Sequence, residues 1–248
     1  MSQQAAPGTR SGAVPGAAAD AVPLGVPVEG GPARRPAPVT LEGRHVALVP
    51  FDAGQHCASL YALSHGPEKE ALWAYLSAAP FPDEAAFARH YAEAATRADP
   101  LLLAIVETGT GRAVGHATYM RMEPAHRVIE VGNILYTPAL QRTPGASEAM
   151  FLMARHAFED LGYRRYEWKC NALNAPSRRA AERLGFTYEG LFRQHMIVKG
   201  RNRDTAWYAL MDHEWPRAKA AFVAWLDPAN FDAEGRQTQR LEDIRAAV

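Results

Sequence analysis

The chain has 248 residues, 48% hydrophobic and 22% charged, enough to bury one sizeable core with appendages. Its 27 Lys plus Arg balance 27 Asp plus Glu, so no global field draws it to nucleic acid or to an anionic membrane, and a charged partner must be met locally. Two cysteines, Cys57 and Cys170, form neither a disulfide framework nor a metal-ligand pattern, and no His pair has ligand spacing, so a metal-free protein of the reducing cytoplasm is expected.

Residues 1–38 are dominated by Ala, Gly, Pro and Val and lack aromatic side chains, which predicts a disordered tail. The start has no basic region followed by an apolar one, and no run reaches the roughly 18 apolar residues of a span, so neither secretion nor membrane insertion is expected. A main domain over residues 39–226 and an extension over 227–248 follow, the latter read as a weak helix or a tail. Within the domain a first strand covers residues 45–50, and helices cover 53–65 and 83–97, the second opening behind Pro82 with Asp83 and Glu84. Residues 101–107 and 113–122 read as a hairpin, and 128–136 as a third strand of that group. An amphipathic helix follows, with Met150, Ala154, Ala157, Phe158 and Leu161 on one face and Gly162 as its stop. Residues 165–172 are a strand, and Asn174, Pro176 and Gly185 are the cap, first-turn and stop residues of a shorter helix. Strands over 187–198 and 205–212 flank a polar turn, KGRNRD, and a closing helix covers 215–225. Strand, helix, strand, helix predicts an α/β fold with a partly parallel, mixed sheet of six to seven strands.

The segment QRTPGASEAM joins a strand to the long helix through Gly and small residues, and a helix N-terminus offers free N–H groups to anions. Arg142, Thr143, Gly145, Ala146 and Ser147 therefore form a candidate pyrophosphate cradle. Downstream, Asn174-Ala-Pro-Ser177 leads to Arg183-Leu184-Gly185-Phe186. In that order the two motifs resemble the GNAT acetyltransferase superfamily over nearly all of residues 39–215, and EGRHVALVP and RDTAWYALMDHEW look like the branch that acetylates N-termini of ribosomal proteins. The resemblance implies a GNAT fold with a V-shaped splay between the fourth and fifth strands. It further implies acetyl-CoA as co-substrate, pantetheine bonded to the backbone of Ile134, Leu135 and Tyr136, and Asn174 and Ser177 beside the cofactor arm. Two departures stand out: Ser147 where the loop ends in Gly or Ala, and Ala181 where many members carry a tyrosine that protonates the leaving thiolate.

An amine attacking a thioester must lose a proton while the carbonyl oxygen gains charge and the thiolate leaves. Glu130, on the strand beside the proposed cleft, is the first candidate base, with partial burial expected to raise its pKa, and Glu167 is the second. Ser177 is the candidate partner of the thiolate. Arg178, Arg179, Lys199, Arg201 and Arg203 are available to a 3′-phosphate or an acidic substrate, although such charges are more often simply solvated. Trp73, Tyr75, Phe81 and Trp207 are candidates for an apolar acceptor pocket, aromatic residues being more often core. His195 is a further candidate in the cleft, and Cys170 reads as a buried structural thiol. The expected activity is direct acetyl transfer to a primary amine, either a protein N-terminus or a small molecule, by a monomer or homodimer that binds no nucleic acid and no membrane. The alternative is a silent domain that binds acyl-CoA as a sensor or scaffold.

Overall fold

A computed structural model describes residues 24–248, so most of the expected tail, residues 1–23, lies outside the described residues. The chain divides into two units, residues 1–31 and 32–248. Residues 24–31 carry no helix or strand. From Pro32 the chain already belongs to the domain, earlier than composition suggests. Ala33 is buried and donates its N–H to Pro124 O at 3.0 Å, and Arg34 N–H donates to Leu161 O at 2.8 Å. A short Ala- and Pro-rich stretch needs no core of its own when neighbouring loops accept its main-chain hydrogen bonds.

Among the described residues eight strands form one sheet: β1 Leu41–Glu42, β2 Val46–Pro50, β3 Leu101–Glu107, β4 Ala113–Glu123, β5 Val128–Tyr136, β6 Arg165–Asn171, β7 Thr187–Val198 and β8 Arg201–Met211. Their spatial order is β1-β2-β3-β4-β5-β6-β8-β7. Among these strands β5 and β6 pair in parallel, and the other pairs are antiparallel. The strand beyond the expected six to seven is the two-residue β1, too short to leave a periodic signal.

Among the described residues the α-helices are α1 Ala53–Ser64, α2 Glu84–Ala95, α3 Pro144–Arg155, α4 Ala175–Leu184, α5 Trp215–Leu226 and α6 Leu241–Ala247. Side chains alternate across a strand, and β3 shows which helices lie on which face. Leu101, Leu103 and Ile105 join a core with Met150, Leu152 and Met153 of α3, Leu184 of α4 and Phe222 of α5. Leu102 and Ala104 join a second core with Cys57 and Leu60 of α1, Trp73, and Phe87 and Tyr91 of α2.

Local chemistry sets the helix limits. Asp52, Asp83, Thr143 and Asn174 cap α1, α2, α3 and α4, each accepting a backbone N–H from three residues on. Gly185 ends α4 with φ +105°, where a side chain would be strained. Helix α3 continues past Arg155 as one π-helical turn, His156–Asp160.

One expectation is corrected. The polar turn between the last strands is only Lys199 and Gly200, because Arg201, Asn202 and Arg203 pair with Val198, Ile197 and Met196 and belong to β8. Charge in an edge hairpin is compatible with pairing, since half of its side chains face solvent. Of the weak helix or tail read for the last residues, the structure has the helix: α6 buries Leu241 and Ile244, and Arg245 donates to the carbonyls of Arg183 and Glu182 at the end of α4. Two apolar residues three apart suffice on a helix this short.

Candidate active site between the splayed strands

Strand β5 pairs with β6 only from Val128↔Arg165 to Val131↔Trp168. Beyond that point β5 runs on to Tyr136 and β6 to Asn171 without pairing to each other. Asn133, at φ +48°, lies where the register between β4 and β5 also shifts, between His116 and Thr118. Asn tolerates this left-handed backbone better than most residues, and the bulge turns β5 away from its parallel neighbour. An edge unpaired on the β6 side opens there along Gly132, Asn133, Ile134, Leu135 and Tyr136, and the last three are the residues whose backbone the family resemblance implies beside the cofactor. Of these side chains Leu135 is buried under α1 and α2, while the Tyr136 hydroxyl donates to Ala146 O at 2.8 Å. Burial pushes the Tyr136 phenol up, so it stays neutral and ties β5 to the first turn of α3.

That first turn borders a cavity of about 520 Å³, lined by Thr143, Pro144 and Gly145 together with Arg44, His45 and Thr108. Arg142 is exposed with φ +62°, and Thr143 caps the Ala146 amide. Gly145 has a packing reason to lack a side chain: a Cβ there would lie 2.8 Å from Val46 Cγ1. Ser147 is turned away from the cradle. It is buried, and its hydroxyl accepts from Arg183 Nη1 at 2.9 Å in the contact between α3 and α4.

Asn174 and Ser177 open α4 at the far end of β6. Asn174 Oδ1 accepts the Ser177 N–H at 3.1 Å, and Ser177 Oγ accepts Trp168 Nε1–H at 3.0 Å. Burial pushes the neighbouring Cys170 thiol up, with the Ser177 hydroxyl acting in the opposite sense, so Cys170 is a buried protonated thiol. Ala181 is fully buried in the core and carries no hydroxyl.

Glu130 and Glu167 face one another in the parallel register. Both are buried, and cations engage both. Arg121 Nη1 donates to Glu130 Oε1 and Oε2 at 2.8 Å each, and Lys169 Nζ lies 2.9 Å from Glu130 Oε2 and 2.6 Å from Glu167 Oε2. Arg165 completes the set, with Nε 2.6 Å from Glu167 Oε1 and its other end on Glu189. Lys169 also sits 3.8 Å over the Trp207 ring. Glu130 is therefore a buried ion-paired carboxylate rather than one isolated in an apolar setting. Its Oε1 carries a single bond and lies beside Gly132, 3.4 Å from where a Cβ would stand, which leaves a lone pair at the start of the splay.

The aromatic candidates divide. Trp73 lines a cavity of about 150 Å³ between α2 and the sheet, and Phe81 packs on Trp73 and Tyr91 behind it. Trp207 lies elsewhere, stacked on Phe192 at 4.5 Å. Tyr75 is exposed and donates to Leu173 O at 3.1 Å, and Lys199 Nζ donates to Trp73 O at 2.6 Å, so the 67–75 segment is tied to both the β6–α4 loop and the β7–β8 turn. His195 Nδ1 pairs with Thr205 Oγ1 at 2.9 Å. Arg178 donates to the Tyr208 hydroxyl at 3.1 Å, and Arg201 stands exposed in β8. The sequence reading missed Lys169, Arg121 and His116. His116 was detectable as a polar residue on the inward face of an otherwise apolar strand.

The acetyltransferase (GNAT) domain model matches residues 45–187. The chain belongs to the GNAT acetyltransferase family. A GCN5-related N-acetyltransferase from Brucella melitensis shares 45% identity and a TM-score of 0.85, covering 87% of this chain and 98% of that one. Bacillus subtilis YnaD, an uncharacterized N-acetyltransferase, is 29% identical over 103 residues, 41% of this chain and 59% of its own length. Bacillus subtilis YdaF, named as a candidate ribosomal N-acetyltransferase, is 36% identical over 64 residues, 26% of this chain and 35% of its own. The chain thus aligns with less than two thirds of either curated relative. Within the GNAT frame the splay between β5 and β6 is the one expected between the fourth and fifth strands, renumbered by β1.

Proposed function

We propose that the protein transfers an acetyl group from acetyl-CoA directly to a primary amine, with both substrates bound at once. The observation that carries this is the splay: a parallel pair that separates after Val131 and Trp168, exposing β5 backbone between the capped N-termini of α3 and α4. Acetyl-CoA, when bound, supplies the thioester carbonyl that the amine attacks. The chain's own residues do the rest. Backbone groups of Ile134, Leu135 and Tyr136 hold the pantetheine arm as a further strand would, and hydrogen bonds to the carbonyl oxygen strengthen as it gains charge. Arg142, Thr143, Gly145 and Ala146 place first-turn amides and one exposed guanidinium at the pyrophosphate, where a helix N-terminus favours an anion. Ser147 contributes through Arg183 rather than through phosphate. Asn174 Nδ2 and the Ser177 hydroxyl lie on the thiol side, Ser177 giving a hydrogen bond to the departing thiolate in place of a tyrosine at Ala181.

Glu130 takes the amine proton through a water on Oε1, the oxygen with a lone pair to spare, while Arg121 and Lys169 hold the carboxylate in place. General base catalysis of this kind contributes roughly 10²- to 10⁴-fold. The acceptor is the amine of a small molecule or of a protein N-terminus, the latter suggested by the name that YdaF carries. The test is thiol release from acetyl-CoA with a panel of short peptides, polyamines and aminoglycosides. Amine-dependent release from wild type, lost about 100-fold in Glu130→Gln with acetyl-CoA affinity retained, is the expected result. Tight acetyl-CoA binding without release from any amine would instead favour the sensor reading, to which the missing hydroxyl at Ala181 lends its one support.

A further inference from the structure

Glu148, at the start of the second turn of α3, is a buried carboxylate that the transfer chemistry does not use. It faces the turn between β1 and β2 and accepts three consecutive main-chain N–H groups. Arg44 N lies 2.8 Å from Oε1, and His45 N and Val46 N lie 2.7 and 3.0 Å from Oε2. Among the described residues no cation pairs with Glu148, so these amides stand in for a counter-charge. The turn is itself fixed. Its carbonyls at Arg44 and His45 accept from Thr108 Oγ1 at 2.9 Å and Thr108 N at 3.0 Å, and that of Val46 accepts from Gly43 N at 3.0 Å. Two glycines let turn and helix approach: a Cβ on Gly43 would lie 2.6 Å from Glu148 Cδ, and one on Gly145 would lie 2.8 Å from Val46 Cγ1. At such distances a side chain in either place would push α3 off the turn.

We propose that Glu148 is a positioning residue for acetyl-CoA: by clasping the β1–β2 turn it fixes where the first-turn amides of α3 point, and so sets the affinity for the pyrophosphate. The inference rests on the acetyl-transfer reading of the splay and adds what holds its phosphate cradle in place. At 5% exposure Glu148 acts through the helix rather than on the phosphate. Hydrogen bonds from the cradle to a pyrophosphate are directional, so a small tilt of α3 weakens several at once. A carboxylate this near a helix N-terminus also repels a second anion there, to the extent that the three amides do not take up its charge. Position and charge therefore act with opposite signs. Loss of the clasp weakens cofactor binding, whereas loss of a merely repulsive charge strengthens it.

The test combines calorimetric titration with acetyl-CoA, which needs no turnover, with kinetics on the amine that releases thiol fastest. Glu148→Gln keeps the size but sets an NH₂ group against one of the amides, and Gly43→Ala keeps the carboxylate and forces the turn away. Each is expected to raise Kd and KM for acetyl-CoA about tenfold, with KM for the amine unchanged and kcat within about twofold. Combined, they are expected to cost no more than the worse of the two, because both break one contact. Leu103→Ala, which weakens the core away from this turn, is expected to leave Kd unchanged. Unchanged Kd in both variants, tighter binding in Glu148→Gln, or equal rises in KM for acetyl-CoA and amine would overturn the assignment. Gly43→Ala decides it by itself if Glu148→Gln does not fold. Failure of the transfer reading looks different: acetyl-CoA binds and both variants weaken it, yet no amine releases thiol from wild type.

Discussion

The two faces of the sheet are built for different work. The face under α3, α4 and α5 is a dry apolar core in which Leu103, Ile105, Met153 and Phe222 are at most 2% exposed. The face under α1 and α2 is assembled from rings, with Phe51, His65, Trp73, Phe81, Phe87 and Tyr91 meeting at centroid distances of 4.5 to 6.4 Å and leaving a cavity beside His116. Where these two surfaces end, at the parting of β5 and β6, lies the ion-paired cluster of Glu130, Glu167 and Lys169. Under the acetyl-transfer proposal this is a division of labour: the closed core would fix the strand and helix ends that meet the cofactor, and the looser face would be left to the acceptor.

That division can be broken in order of effect. Lys169→Met removes the cation shared by two buried carboxylates and is expected to cost about 3–5 kcal/mol in denaturant unfolding. A loss below about 1 kcal/mol would mean that the cluster is solvated in solution. Leu103→Ala, on the dry face, is expected to cost about 3 kcal/mol while leaving the relative rates with different acceptors unchanged. A change in acceptor preference would show that the two faces are coupled.

Titration separates the faces as well. The folded pKa of His116 lies below its ordinary 6.5, near 3, so the unfolded chain binds a proton that the folded chain does not over that interval. Its contribution to stability is complete above about pH 6.5 and is lost as pH falls towards 3, by up to roughly 1.4 kcal/mol per unit. Burial lowers His56 and His65 in the same sense, and both belong to the α1 side. Unfolding free energies of wild type and His116→Phe between pH 7 and 5 check this, the variant being expected to show the shallower slope. The smallest effect is Thr143→Ala, which removes the α3 cap and is expected to cost about 1 kcal/mol and to weaken acetyl-CoA binding a fewfold.

Most of the fold was legible because its elements are periodic and punctuated. The limits of β3 and β5 follow from apolar runs, and those of α2 and α4 from Asp83, Asn174 and Gly185. Elements that rest on long-range contacts were not legible. Strand β1 has two residues, the 32–38 segment is held by main-chain bonds to Pro124 and Leu161, and α6 shows only Leu241 and Ile244 as its apolar face. The site was legible in outline for the same reason. The order of the loop before α3 and the cap of α4 could be read, but whether Glu130 stands alone or among cations depends on register across three strands. No local pattern encodes that Arg121 and Lys169 reach it, or that Ser147 points to Arg183.

Under the acetyl-transfer proposal, acetyl-CoA occupies the gap between β5 and β6. Backbone amide spectra of the ¹⁵N-labelled protein, titrated with acetyl-CoA, test it most directly. The largest shifts are expected at Gly132 to Tyr136, in the first turn of α3 around Gly145, and at Asn174 to Ser177, with the α5 and α6 amides still. Shifts confined to other surfaces, or none at saturating acetyl-CoA, would contradict it.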